Sequence, residues 1–302
     1  VDAVSRAEAR CRAWSVLADW LERGPTPGSA SAWEETTGVP VGGDHTRLLL
    51  LEIAPFQGVF LSAEGLVGGE LADAVADARG RCGLPVTKQP DHVAEEARWV
   101  GFLAGAEADA LRDGVNAEPI RALARAAFDE HFLRWLPALV AAVHSTSEHP
   151  HERAVLDLAL ALAWEHRLAL DGAPPAWDLP AVENPLDDPK AGLGAIARHL
   201  ARPAAAGGWI SNAAVARLSR VLDLPAGFGT RADRIETLFG SAAHYGRVPD
   251  LCAALDAEFA SWERPAPAPL DALVAPWRAR RAATREMLGR IAAAARALPA
   301  QA

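Results

Sequence analysis

Apolar side chains recur every three or four residues along almost the whole chain, and glycine or proline interrupts the pattern at short intervals. This 3.6-residue periodicity restricts the chain to amphipathic helices that must bury their stripes against one another. The first stripe is Val4, Ala7, Cys11, Trp14, Leu17 and Leu21, cut by Gly24-Pro25-Thr26-Pro27-Gly28. Alternation of the kind a half-buried strand needs is almost absent. Alanine, the strongest helix former, makes up roughly a fifth of the residues. The expected fold is all-α: a multi-helix globular domain with an additional C-terminal helical unit.

Further helices are expected from Asp44 to Ile53 ahead of Pro55, and from about Gly69 to Cys82. Asp91 is placed to cap a third, which carries Val93, Ala97, Val100 and Ala104 and fades near Gly114. The next begins at Pro119 and aligns Leu123, Ala127, His131, Trp135 and Leu139. Pro137 should kink or divide it near Trp135. Another runs from Pro150 to Gly172. Residues 172–189 hold five prolines and no apolar period, so they read as a boundary between a core at 1–171 and a C-terminal unit at 190–302. That unit reads as short helices near 191–201, 211–223, 231–243, 250–262 and 271–297. Ser211 and Thr230 are N-cap candidates, and Thr230-Arg-Ala-Asp233 has the form of a capping box.

The formal net charge of -9 disfavours nucleic acid and anionic membrane surfaces as partners and favours a basic one. Cys11, Cys82 and Cys252 form no C-x-x-C pair, so neither a zinc ribbon nor an iron–sulfur centre is expected. No stretch is apolar enough for a membrane span, and charges at Asp2, Arg6, Glu8 and Arg10 do not suit a secretory signal. These features point to a cytoplasmic protein. His144, His149 and His151 read as solvated loop histidines rather than metal ligands, and His166 and His199 as lone helix-surface residues. A helix-turn-helix reading of residues 213–224 and the helix after them yields to two packed helices. No Walker loop or nucleophile elbow is present.

Two segments combine acids, one histidine and aromatic residues. Gln89-Pro90-Asp91-His92 opens a helix bearing Glu95, Glu96 and Trp99. Phe128-Asp-Glu-His131-Phe-Leu-Arg-Trp135-Leu-Pro137 follows. From the residues alone, Asp91 is a cap and His131 a core histidine, or both belong to a site.

With Leu48-Leu49-Leu50-Leu51 leading into Pro55-Phe56-Gln57, these segments match, in order, three motifs of the TorD/DmsD/NarJ-type chaperones. Those motifs are a leucine-rich helix before a P-Y-E-like turn, an E-P-D-H-like helix start and an F-x-x-x-H-L-x-x-W-x-P-like stretch. The sequence resembles that family over about residues 44–170. Gln89 stands where the family has Glu, and Phe56-Gln57 where it has Tyr-Glu, so two carboxylates are missing. Residues 208–211 and 222–225 resemble an extension carried by some members. The resemblance implies a cytoplasmic chaperone, without a cofactor and without turnover chemistry. Such a chaperone binds the twin-arginine signal peptide and the apo catalytic subunit of a molybdopterin-dependent oxidoreductase until its cofactor is loaded. A basic and then apolar leader asks for carboxylates beside an aromatic groove. The candidate binding residues are therefore Asp91, His92, Glu95, Trp99, His131 and Trp135, with Glu96, Asp129 and Glu130 as neighbouring acids. No catalytic or metal residue is assigned, and either a monomer or a homodimer is compatible. The competing readings are an enzyme of hydrolase or nucleotide-dependent type using Asp91 and His92 as an acid–base pair, and a purely structural helical scaffold.

Overall fold

A computed structural model describes residues 2–225 and 227–297, so the last five residues of the expected C-terminal unit lie outside the described part. The chain is all-α, and no strand occurs among the described residues. An isolated bridge joins Phe56 to His92. No helix among the described residues is long and apolar enough to cross a membrane.

In chain order the elements are α1 (Ala3–Arg23), α2 (Ala30–Thr37), a first π-turn (Arg47–Glu52), α3 (Gln57–Leu61) and α4 (Glu70–Arg81). Then come α5 (Val93–Arg112), α6 (Glu118–Ala126), a second π-turn (Ala127–Phe132), α7 (Leu133–Thr146) and α8 (Pro150–Leu168). After a long irregular segment follow α9 (Leu193–Ala201), α10 (Pro203–Ala206), α11 (Asn212–Leu222) and α12 (Arg231–His244). The chain closes with α13 (Val248–Ala260), a 3₁₀ turn (Ala268–Leu273) and α14 (Ala275–Ala297).

The expected punctuation accounts for most helix ends. Asp2 caps α1 by accepting from the Ser5 N–H at 2.7 Å. Ser211 accepts from the Ala214 N–H at 3.0 Å. Thr230 and Asp233 form the complete capping box of α12. The helix expected across Pro137 is divided by the second π-turn, just ahead of Trp135. Pro137 itself sits inside α7, which runs on to Thr146.

Helices α1 and α5 form the most extensively packed pair. They approach closely because α5 presents Gly101 and Gly105 to α1. A Cβ on Gly101 would lie 2.9 Å from the Trp14 Cβ, and one on Gly105 would lie 3.1 Å from the Cys11 Sγ. Around this pair lies a first hydrophobic core. All ten tryptophans belong to it or pack against it, including Trp209, Trp262 and Trp277 from beyond the proline-rich segment. The second core, from α9 and α11–α14, is mostly aliphatic with Phe239 and Phe259, and holds no tryptophan.

Candidate functional site

The polypeptide around Asp91 is fixed by its own backbone. The Gln57 N–H donates to the Asp91 carbonyl at 2.9 Å, and the Val93 N–H donates to the Pro55 carbonyl at 2.9 Å. These bonds lay Pro55–Gln57 across the start of α5. They also correct the expected cap. His92, not Asp91, caps α5, with its Nδ1 accepting from the Ala94 N–H at 3.2 Å. Asp91 reaches across to α3, where its carboxylate accepts from the Gly58 N–H at 3.1 Å. Gly58 permits this approach, because a Cβ there would lie 2.8 Å from the Leu66 carbonyl oxygen and 3.2 Å from the Asp91 carboxylate. Asp91 is 1% exposed, and burial raises its pKa above the ordinary carboxylate value.

Beneath it lies Glu96, fully buried. One of its oxygens accepts from Trp135 Nε1 at 3.3 Å, and the other has no partner. Burial pushes its pKa well above the ordinary value, so the neutral carboxyl is the form this interior accommodates. Trp135 packs on Phe60 with ring centroids 5.5 Å apart, and Phe60 stacks on Trp209.

A second face of α5 meets α4. Glu95 accepts from Arg79 at 2.8 Å and from Arg98 at 2.6 Å. Arg79 also donates to the Glu95 carbonyl at 2.7 Å. Trp99, one turn on, donates from Nε1 to the Cys82 Sγ at 3.4 Å and lies 5.5 Å from the His131 ring. His131 is buried, with its Nδ1 unpartnered, and burial lowers its pKa to about 4. Burial lowers His92 to about 4 as well. Since Nδ1 of the neutral ring accepts from Ala94, its proton sits on Nε2. The ring edge of His92 meets Phe56 at 5.0 Å.

The six candidates therefore divide. Asp91, Trp99, His131 and Trp135 lie in the interior, while His92 and Glu95 remain partly open to solvent. Of the neighbouring acids, only Glu130 is exposed. Asp129 is buried and bound by Arg167 through two bonds, at 2.7 and 2.8 Å. Arg167 also donates to the Asp171 and Gly172 carbonyls.

Four histidines differ from expectation. His144 lies within α7, with its Nε2 paired to the Asp157 carboxylate at 2.8 Å, rather than in a solvated loop. His166 is fully buried and its Nδ1 accepts from Trp14 Nε1 at 3.1 Å, rather than lying on a helix surface. His151 lies in α8, 1% exposed and edge-on to Trp20 and Trp33, rather than in a solvated loop. His199 is likewise buried. No group of three or more potential ligands among the described residues is arranged to hold a metal.

Residues 5–141 match the family model described as nitrate reductase delta subunit. This stretch holds all six candidates. The matched model describes the NarJ/TorD-type chaperone family that the three motifs resembled, and the match covers just under half of the chain. A selenate reductase assembly chaperone protein of Thauera selenatis is 44% identical over 48 residues. Those residues are 16% of this chain and 25% of that protein, so the match spans only a quarter of the relative's length. No solved structure matches the chain. The delta-subunit match ends within α7, so it takes in the candidate site and leaves out the second core.

Proposed function

We propose that the protein is an assembly chaperone for a molybdopterin-dependent oxidoreductase, acting by binding and not by turnover. It holds the signal peptide and the apo catalytic subunit while the cofactor is loaded. The observation that carries this reading is the family match over residues 5–141, which includes every candidate residue. The name of the partly matching relative, an assembly chaperone of selenate reductase, points the same way. The enzyme reading loses support from geometry. Asp91 is committed to the Gly58 N–H and His92 Nδ1 to the Ala94 N–H, so the two side chains serve different helices and do not converge.

In this reading His92, Glu95 and Phe56 form the rim that meets the client, with Glu130 as a solvent-facing acid further along. Asp91, Trp99, His131 and Trp135 hold the rim in place from behind. The test is calorimetric titration of a twin-arginine leader peptide into wild type and into Glu130→Gln, Glu95→Gln and Asp91→Asn variants, with melts in parallel. We expect saturable, salt-sensitive binding, weakened roughly tenfold in Glu130→Gln by loss of a charge-assisted contact, whereas Glu95→Gln, which unpairs the buried Arg79, should lower the melt as well. Asp91→Asn should shift the melt more than the affinity. Absence of saturable leader binding by the wild type would remove the signal-peptide part of the reading. If the apo catalytic subunit also failed to co-purify, the chaperone reading would go with it.

A further inference from the structure

A cleft of about 330 Å³ lies between the first π-turn, the end of α7 and the facing sides of α11 and α12. Four arginines line it: Arg47, Arg217, Arg220 and Arg234. In a chain of net charge -9 such a concentration runs against the overall balance. Arg217 is matched by Glu258 at 2.7 Å. Arg47, Arg220 and Arg234 form no ion pair with any carboxylate among the described residues, and Arg220 spends only its Nε–H, on the Ala216 carbonyl at 3.3 Å.

Two acids also line the cleft. Glu52 is already occupied, accepting from the Ala213 N–H at 3.2 Å and facing the part-buried cation of Arg231, which stacks on Trp209. Glu148 sits on the exposed lip. Two polar atoms in the lining are buried without a partner, Thr146 Oγ1 and Asn212 Oδ1. Thr146 is only 6% exposed, and its hydroxyl has no partner in the wall of the cleft.

Three uncompensated guanidinium groups on three separate elements, two of them exposed, plus a buried hydroxyl, line one cleft and supply more donors than one carboxylate can use. Phosphate oxygens can use them all, and guanidinium forks match them in geometry. The cleft volume falls at the lower end of small-molecule sites, roughly 300–1,000 Å³. We propose that this cleft binds the phosphate or diphosphate group of a small molecule, clasped by Arg47, Arg220 and Arg234, with the Thr146 hydroxyl as a fourth donor. The π-turn is part of the device. The Glu52–Ala213 bond pins it to the start of α11, and Arg47 at its first position lines the same cleft as the arginines of α11 and α12. The site uses one residue inside the family-matched stretch and several beyond it, and it stands whether or not the chaperone reading does.

The test is titration of inorganic pyrophosphate into the intact chain at low salt, with inorganic phosphate and citrate as comparison anions. We expect one saturable site, with pyrophosphate bound more tightly than citrate. Arg47→Gln and Arg234→Gln should each weaken pyrophosphate about tenfold while melting like wild type without ligand. Thr146→Val should weaken it by a smaller factor. Arg12→Gln, at an exposed position on α1, should leave it unchanged. Any of three results overturns the proposal: no saturation at millimolar pyrophosphate, citrate binding as tightly as pyrophosphate, or equal weakening by Arg12→Gln.

Discussion

Around the first core the interior contains Asp91, Glu96, Asp129, Glu152, Arg167 and His166, each nearly or fully buried. Around the second, the buried polar residues are His199, Ser211, Ser219, Arg281 and Thr284, with no carboxylate among them. The first core thus relies on directional pairings that work only when both partners are in register. The second relies on aliphatic stripes and well-capped helices, which tolerate substitution as long as volume is kept. The difference teaches where specificity is concentrated. The candidate rim at His92 and Glu95 is built on the part of the molecule whose geometry is least free to drift.

The strongest way to break this contrast is Arg167→Ala. It leaves Asp129 buried and uncompensated, and should cost about 3–5 kcal/mol in urea unfolding. Replacing the pair together, as Asp129→Leu with Arg167→Met, should recover much of the loss. A single-variant cost below about 1 kcal/mol would mean the pairing contributes little, and the contrast would fail.

Acidification comes next. Burial lowers His92 and His131 to about 4 and His166 to about 3 in the folded chain. The unfolded chain therefore takes up protons first. The contribution of these rings is full above pH 6.5 and is lost as pH falls from there toward the folded values. Glu96 works in the opposite direction, because its folded pKa is raised. Its contribution is present in acid and is lost as pH rises through that folded value. Glu96→Gln should therefore melt above wild type at neutral pH, with the gap closing toward pH 4. An unchanged gap across that range would show that Glu96 is ionised in the folded chain.

The smallest effect belongs to the second core. Thr230→Ala removes a side-chain acceptor for the Asp233 N–H and should cost about 1 kcal/mol in the same unfolding assay. A cost as large as that of Arg167→Ala would erase the distinction between the two cores.

What the sequence made legible follows the same division. Capping signals at Ser211 and Thr230, the glycine stops and the 3.6-residue stripes placed most helices within a few residues, because those signals act over one turn. Short α2 and α3 escaped, since one buried Trp33 or a five-residue helix leaves no period to see. The buried pairs escaped for another reason. Asp129 meets Arg167 across 38 residues and Trp14 meets His166 across 152, and no local pattern announces either. Asp91 was legible as a helix cap and assigned to the wrong helix. Its carboxylate serves Gly58, 33 residues earlier, because the Phe56–His92 bridge folds that segment back onto α5.

The gathering of all ten tryptophans in or against the first core makes the molecule optically lopsided. Indole emission reports that core and its contacts, whereas far-ultraviolet circular dichroism reads the helices of both. Comparing the two signals during unfolding requires no label and no truncated fragment. Because Trp209, Trp262 and Trp277 reach in from the later part of the chain, their emission will also record any loosening of the seam between the cores.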